Sequence, residues 1–392
     1  MQTKILIKKS MDFKSKNYKD LTRFVYQDLS WGPLFRKKDG EVISNADNNA
    51  EKYIKESLDV MNIKVSELKE KTIFNIGTGR ESRYFAENGA NVFHVDIAKD
   101  SSDALNKWGK DNKKKVSSQF GDILDVDIGE NKYDIIYLNG IYQHIEKPAF
   151  ALVKLINSLK PNGIMYMGFY RSGEYKFFIV DAIRHLIDFS MIKNVREINS
   201  ILFTFNKLNH YNSTRVMDDF FIPKKHNFHP KDVIHDLELI GGEVFHFDGD
   251  LRDYVHEIDL NSDKKTYHQD KGYFSIGGDR IYITKKHNNI TDLANISSKL
   301  KTIKGRDQIF EIKYEEEIIN ENIEMIKKIR ILKDAGFVSN IQIASLAIGL
   351  HQFTRPFIFE QSYYYQESLK IGRHKALKKY LENFLESFSP KI

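Results

Sequence analysis

The chain has 392 residues, 41% hydrophobic and 29% charged, with 27 Phe and 20 Tyr, a composition that fills a packed core and excludes global disorder. Lys and Arg number 60 against 54 Asp and Glu, a net charge of only +6, which falls short of the basic stripe of a dedicated nucleic-acid binder. The expected partner is a small molecule, with neither nucleic acid nor membrane. Cysteine is absent, which excludes disulfides, thiolate zinc or iron–sulfur sites and cysteine nucleophiles. The opening MQTKILIKKS lacks the apolar core of a signal peptide, and no apolar run approaches the roughly 20 residues that span a bilayer, so a cytoplasmic address is expected.

Residues 1–49 are polar and irregular and read as an arm rather than a domain. From residue 50, Ile54, Leu58 and Met61 recur at helical spacing, and an apolar run over 72–76 stops at Gly77, which predicts helix and then strand. The alternation continues with a helix over 81–88, a strand over 91–96, a helix near Ala104, and strands over 117–120 and 133–138. A helix over 148–159 and a strand over 163–170 follow. Five strands separated by helices imply a parallel, doubly wound sheet. An aromatic insertion over about 171–229, carrying Asp218, Asp219, Pro223, His226 and His229, precedes a helix over 230–240. Two further strands at 243–247 and 280–284 bring the sheet to seven. From about residue 288 only helices are predicted, with Ile319, Ile323, Ile326 and Ile329 on one face and Gly336 as a C-cap. Their apolar faces must be buried on the same chain, as a lid, or on a second chain in a homo-oligomer. The lysines at 107, 110, 113, 114 and 115 read as a solvated helix end.

Chemistry enters at Asn75-Ile76-Gly77-Thr78-Gly79-Arg80-Glu81-Ser82, where two glycines stand between a strand and a helix and let the backbone turn tightly against a ligand. Seventeen residues past Gly79, Asp96 closes the second strand, suitably placed for a ribose diol. The third glycine of a dinucleotide fingerprint would fall at Ser82, so a nucleotide without pyrophosphate fits better.

On these residues the segment from about 50 to 287 resembles the class I S-adenosylmethionine-dependent methyltransferases. Phe120-Gly121-Asp122-Ile123, the strand and loop from Tyr133 to His144, and Leu159-Lys160-Pro161-Asn162-Gly163 supply three further matching segments in the same order. The resemblance implies an α/β, doubly wound, seven-stranded Rossmann-like sheet, with a helical insertion after strand five and an all-helical C-terminal extension over 288–392. It implies S-adenosylmethionine as cofactor, S-adenosylhomocysteine as product, and an arm over 1–49 that covers the active site. It also implies cofactor contacts at Asn75, Gly77, Gly79, Asp96, Ile97, Asp122, Ile123 and Asn139, with Asp96 on the ribose and Asp122 at the adenine. Two residues depart from the pattern: Asn75 stands where the family usually has an acid, and Glu81 where it often has a third glycine.

The sulfonium is already an activated donor, so in-line alignment and removal of a proton from the acceptor are what remain for the protein. Candidate bases are His144, after strand four, and His226, in the insertion; candidate acceptor contacts are Trp31, Tyr142, Tyr170 and Arg171. Without cysteine, cytosine C5 methylation, arsenic methylation and radical chemistry on the same cofactor all fall away. Asn139-Gly140-Ile141-Tyr142 lacks the tetrad of nucleobase amino-methylating enzymes. The expectation is O-, N- or S-methylation of a small molecule. Aminopropyl transfer, and a degenerate fold used as a scaffold, are the alternatives.

Overall fold

The computed structural model describes residues 22, 23, 26, 48–77, 79–169, 175–187, 222, 226–248, 279–285, 297–302, 317–353 and 370–388. Helix α1 (Asn48–Val60) leads into β1 (Thr72–Ile76), α2 (Arg80–Glu87), β2 (Asn91–Asp96), α3 (Lys99–Asp111) and β3 (Val116–Phe120). Then come β4 (Tyr133–Asn139), α4 (Pro148–Ser158), β5 (Leu159–Phe169), α5 (Tyr175–Ile187), α6 (Pro230–Leu239), β6 (Gly242–Asp248) and β7 (Asp279–Lys285). Helices α7 (Glu317–Asp334), α8 (Asn340–Gln352) and α9 (Arg373–Glu386) complete the described chain.

The strands form one sheet in the order β3-β2-β1-β4-β5-β7-β6. The first five are mutually parallel, while β7 runs antiparallel to both β5 and β6. The carboxyl ends of β1 to β6 and the start of β7 therefore share one edge, where ligands bind in folds of this kind. The central strands are near-continuous apolar runs because both of their faces are covered. Ile54, Leu58, Phe85, Tyr137, Tyr166 and Tyr282 pack on the α1/α2 face, and Phe74, Leu152, Leu155, Met167 and Leu237 on the α4/α6 face.

Strand five departs from expectation. It begins at Leu159 rather than at Gly163, pairs with Tyr133, and then skips to Ile164 opposite Ile135. The intervening residues bulge out, with Asn162 in the left-handed region at φ 62°. At the opposite end of the molecule from the carboxyl edge, the buried Lys285 ammonium donates to Asn131 Oδ1 (2.8 Å) and to the carbonyls of Leu159 (2.8 Å) and Asn157 (3.2 Å).

The C-terminal helices pack on α5, a helix of the insertion, within the same chain. Phe178, Ile179, Ile183 and Leu186 of α5 join Ile326, Ile329, Leu350 and Leu377 in a core separate from those flanking the sheet. Ser339 caps α8, its Oγ accepting from Gln342 N (3.3 Å) while the Gln342 carboxamide accepts from Ser339 N (2.8 Å). Where α8 meets α9, a Cβ on Gly349 would lie 1.9 Å from the Tyr380 hydroxyl, so glycine sets the closeness of the two helices. Gly349→Ala is expected to displace the Tyr380 ring and destabilise this core by about 1–3 kcal/mol. Urea unfolding of the variant measures it, and an unchanged midpoint would mean that the helices can separate freely.

Candidate functional site

At the end of β1 the backbone enters the left-handed region twice, with φ 131° at Gly77 and 79° at Gly79. A side chain at Gly77 would be strained and would also press within 3.3 Å of Ile141 Cδ1, so the loop after β4 closes down on a bare backbone. His94, central to β2, fixes this turn. Its Nε2 lies 2.8 Å from the Gly77 carbonyl, which can only accept, and its Nδ1 lies 2.7 Å from Ser118 Oγ. Nε2 therefore carries the proton. Burial lowers His94 to about 4, so the ring is neutral at pH 7 and serves as a clamp. Gly79 then opens α2 as its N-cap.

Asn75 is fully buried, with its amide turned into the protein: Nδ2 donates to the Tyr137 carbonyl (2.8 Å) and Oδ1 accepts from Ser82 Oγ (2.7 Å). Asp96 stands at the end of β2, its Oδ1 accepting from Ala98 N (2.7 Å). Burial raises its carboxyl to about 7, against the opposing effect of hydrogen bonds from Ser101, Ala98 and Ile97. The Asp96 carbonyl accepts from Gly121 N (2.9 Å), which draws the loop after β3 toward β2. In that loop the half-buried Asp122 closes a turn by accepting from Leu124 N (2.9 Å), and the carbonyl of buried Ile123 accepts from Lys154 Nζ (2.8 Å). Half-buried Asn139 ends β4, its Oδ1 3.4 Å from the Tyr166 hydroxyl. The edge thus presents bare glycine backbone, a buried carboxyl at ribose distance along β2 and a second acid after β3. These residues fit the nucleoside and amino-acid parts of S-adenosylmethionine.

The two candidate bases meet in one place. A short 3-10 turn (Tyr142–His144) follows β4, and His226 lies against it, its N donating to the Gln143 carbonyl (2.7 Å) and its Nε2 to the Ile145 carbonyl (3.1 Å). His144 is buried and meets the Tyr26 ring edge-on at 6.4 Å, while Arg23 lies 4.8 Å over the Phe120 ring at the end of β3. These two arm residues sit at the carboxyl edge. Tyr142 is fully buried, with its ring 4.6 Å from Phe228 and its hydroxyl 3.0 Å from Thr302 Oγ1, which makes it part of the core. Trp31, Tyr170, Arg171, Asp218, Asp219 and Pro223 lie outside the described residues.

Sequence reasoning passed over His94 and Gln143. A polar residue in the middle of an apolar parallel strand was the available sign for His94. Gln143, fully buried, donates to the Gly140 carbonyl and so braces the loop beneath Asn139.

His94 and Asp96 titrate in opposite senses. The folded chain refuses His94 a proton between 6.5 and about 4, so stability falls as pH drops through that window. The folded chain keeps the Asp96 proton between 3.8 and about 7, so stability falls as pH rises there. In wild type the two slopes oppose. Asp96→Asn is expected to lose stability more steeply than wild type between pH 6.5 and 4, and His94→Gln to gain it. Denaturant unfolding across that range reads both, and parallel profiles for all three proteins would contradict the burial of these groups.

Residues 74–167 match the family model described as a methyltransferase domain. No curated protein matches the chain. Among solved structures, PKMT2 from Rickettsia typhi in complex with AdoHcy is 16% identical over 58% of this chain and 52% of its own, with a TM-score of 0.39. The 1,6-didemethyltoxoflavin-N1-methyltransferase of Burkholderia thailandensis, with 1,6-didemethyltoxoflavin and S-adenosylhomocysteine bound, is 13% identical over 55% of this chain and 72% of its own (TM-score 0.32). A SAM-dependent methyltransferase from Methanosarcina mazei is 15% identical over 56% of this chain and 93% of its own (TM-score 0.35). With the matched segment running from β1 into β5 of the sheet described above, residues 74–167 carry a methyltransferase domain, which implies S-adenosylmethionine as cofactor.

Proposed function

We propose that the acceptor is a small molecule, methylated on O, N or S, and that a histidine, His144 after β4 or His226 of the insertion, takes its proton. The observation that carries the reading is the seating of His226 against the short turn after β4 that carries His144. S-adenosylmethionine supplies the activated methyl. The protein's part is to align the acceptor and accept a proton, and a neutral imidazole near pH 7 does so without the raised pKa that a carboxylate would need. In the neutral His226 ring the Ile145 carbonyl requires the proton on Nε2, which leaves Nδ1 as the basic nitrogen. The small net charge of +6 also favours a small acceptor over a polyanion.

Incubation of the protein with methyl-labelled cofactor and a cell extract is expected to place label in the low-mass fraction. Label confined to nucleic acid or protein would overturn the small-molecule reading. With the acceptor isolated, His144→Asn and His226→Gln are expected to lower turnover by roughly 10²-fold or more, as for a general base, with S-adenosylhomocysteine affinity unchanged. Glutamine at 226 keeps a donor for the Ile145 carbonyl, so loss of turnover there would report on the base rather than on the loop. Full activity in both variants would remove the histidines from the mechanism.

A further inference from the structure

Glu81 occupies the first turn of α2, directly beyond the Gly77–Gly79 turn, and is only 7% exposed. Among the described residues, no hydrogen bond or ion pair reaches its carboxylate. Its charge is felt by the phenols of Tyr137 and Tyr166, adding to the burial that holds both protonated. Tyr166 in turn reaches Asn139 Oδ1 at the end of β4. Helix α2 packs on the sheet face that holds Tyr137 and Tyr166, so Glu81 enters the helix on that side of the sheet, directly beyond the Gly77–Gly79 turn. A buried carboxylate without a partner is costly, and a ligand bearing a cation relieves that cost.

Asn75 sharpens the argument. It stands where the resemblance implies an acid, and both ends of its amide are already used by Tyr137 and Ser82. The turn has lost a carboxylate at its first residue and gained one six residues later. We infer that Glu81 binds the α-ammonium of the cofactor's methionine moiety. The ammonium has three N–H donors to offer a carboxylate, whereas the sulfonium has none. The inference rests on S-adenosylmethionine being the cofactor. The competing role for Glu81 is purely structural, as an acid complementing the dipole of α2, and it makes no distinction between ligands.

Calorimetric titration of the full chain separates the two, with four probes: S-adenosylhomocysteine, its analogue lacking only the α-amino group, 5′-methylthioadenosine and S-adenosylmethionine. Wild type is expected to bind S-adenosylhomocysteine roughly 10-fold or more tighter than the des-amino analogue, the range for a hydrogen bond between charged groups. Glu81→Gln is expected to close that gap by weakening S-adenosylhomocysteine and S-adenosylmethionine alike, while both ligands without the ammonium keep their affinity. The comparison within wild type stands even if the variant does not fold: equal affinity for the two homocysteine ligands overturns the assignment. Equal loss of all four ligands in the variant overturns it in favour of a structural role, and a loss confined to S-adenosylmethionine overturns it in favour of the sulfonium. Wild-type protein that binds none of the four overturns the cofactor reading and this assignment together.

Discussion

The geometry at the carboxyl edge depends on one contact, the hydrogen bond from His94 Nε2 to the Gly77 carbonyl. Gly77 can take φ 131° only because it lacks a side chain, but permission is not preference, and glycine alone would leave the turn loose. The neutral, fully buried imidazole supplies the preference. Its other nitrogen is held by Ser118 on β3, so the turn after β1 is referenced to β2 and, beyond it, to β3. With the turn fixed, Gly79 caps α2, Glu81 enters its first turn, and Asp96 emerges two residues beyond His94 on the same strand. A shift of His94 would move all three.

A second chain of contacts leads from the C-terminal helices to the loop that holds the histidines. The core shared by α5, α7, α8 and α9 is continuous with the insertion through Ile222, whose carbonyl accepts from Arg184 of α5 (2.6 Å). Asp181, also on α5, accepts from the Asn227 amide, and the neighbouring His226 is bound to Gln143 and Ile145. The apolar faces that the sequence left without a partner are thus used to anchor the insertion helix, and that helix holds the segment packed against His144. Buried polar bonds of this kind need good geometry to repay their desolvation, so they transmit position along with stability.

The sheet was legible in the sequence because its strands are short apolar runs punctuated by glycine, and parallel strands buried on both faces leave that trace. Gly77, Gly79 and Asp96 were legible for the same reason, since each sits where a strand pattern stops. The start of β5 was not, because Lys160-Pro161-Asn162-Gly163 has the composition of a turn and only the pairing of Leu159 with Tyr133 makes it a bulge within a strand. The role of Tyr142 was hidden by its neighbours in the chain: it follows Asn139 and Gly140 on a ligand-facing loop, yet its hydroxyl pairs with Thr302, 160 residues away. Such a bond has no local signature.

Charge at the edge is arranged so that the protein alone does not satisfy it. Asp96 is held near neutrality by burial, with its pKa at about 7, and ionises most readily when donors such as a ribose diol replace the lost water. Glu81 lacks a hydrogen bond from the described residues, while Arg280, at the start of β7, is committed elsewhere, 3.6 Å from Asp248 and 3.9 Å from Glu56. A ligand with hydroxyl donors at one end and a cation at the other would stabilise both acids at once. A largely buried carboxylate without a hydrogen bond interacts more strongly with such a ligand than one on the open surface. The stability given up at Asp96 above pH 3.8 and the affinity gained there are two sides of one electrostatic arrangement.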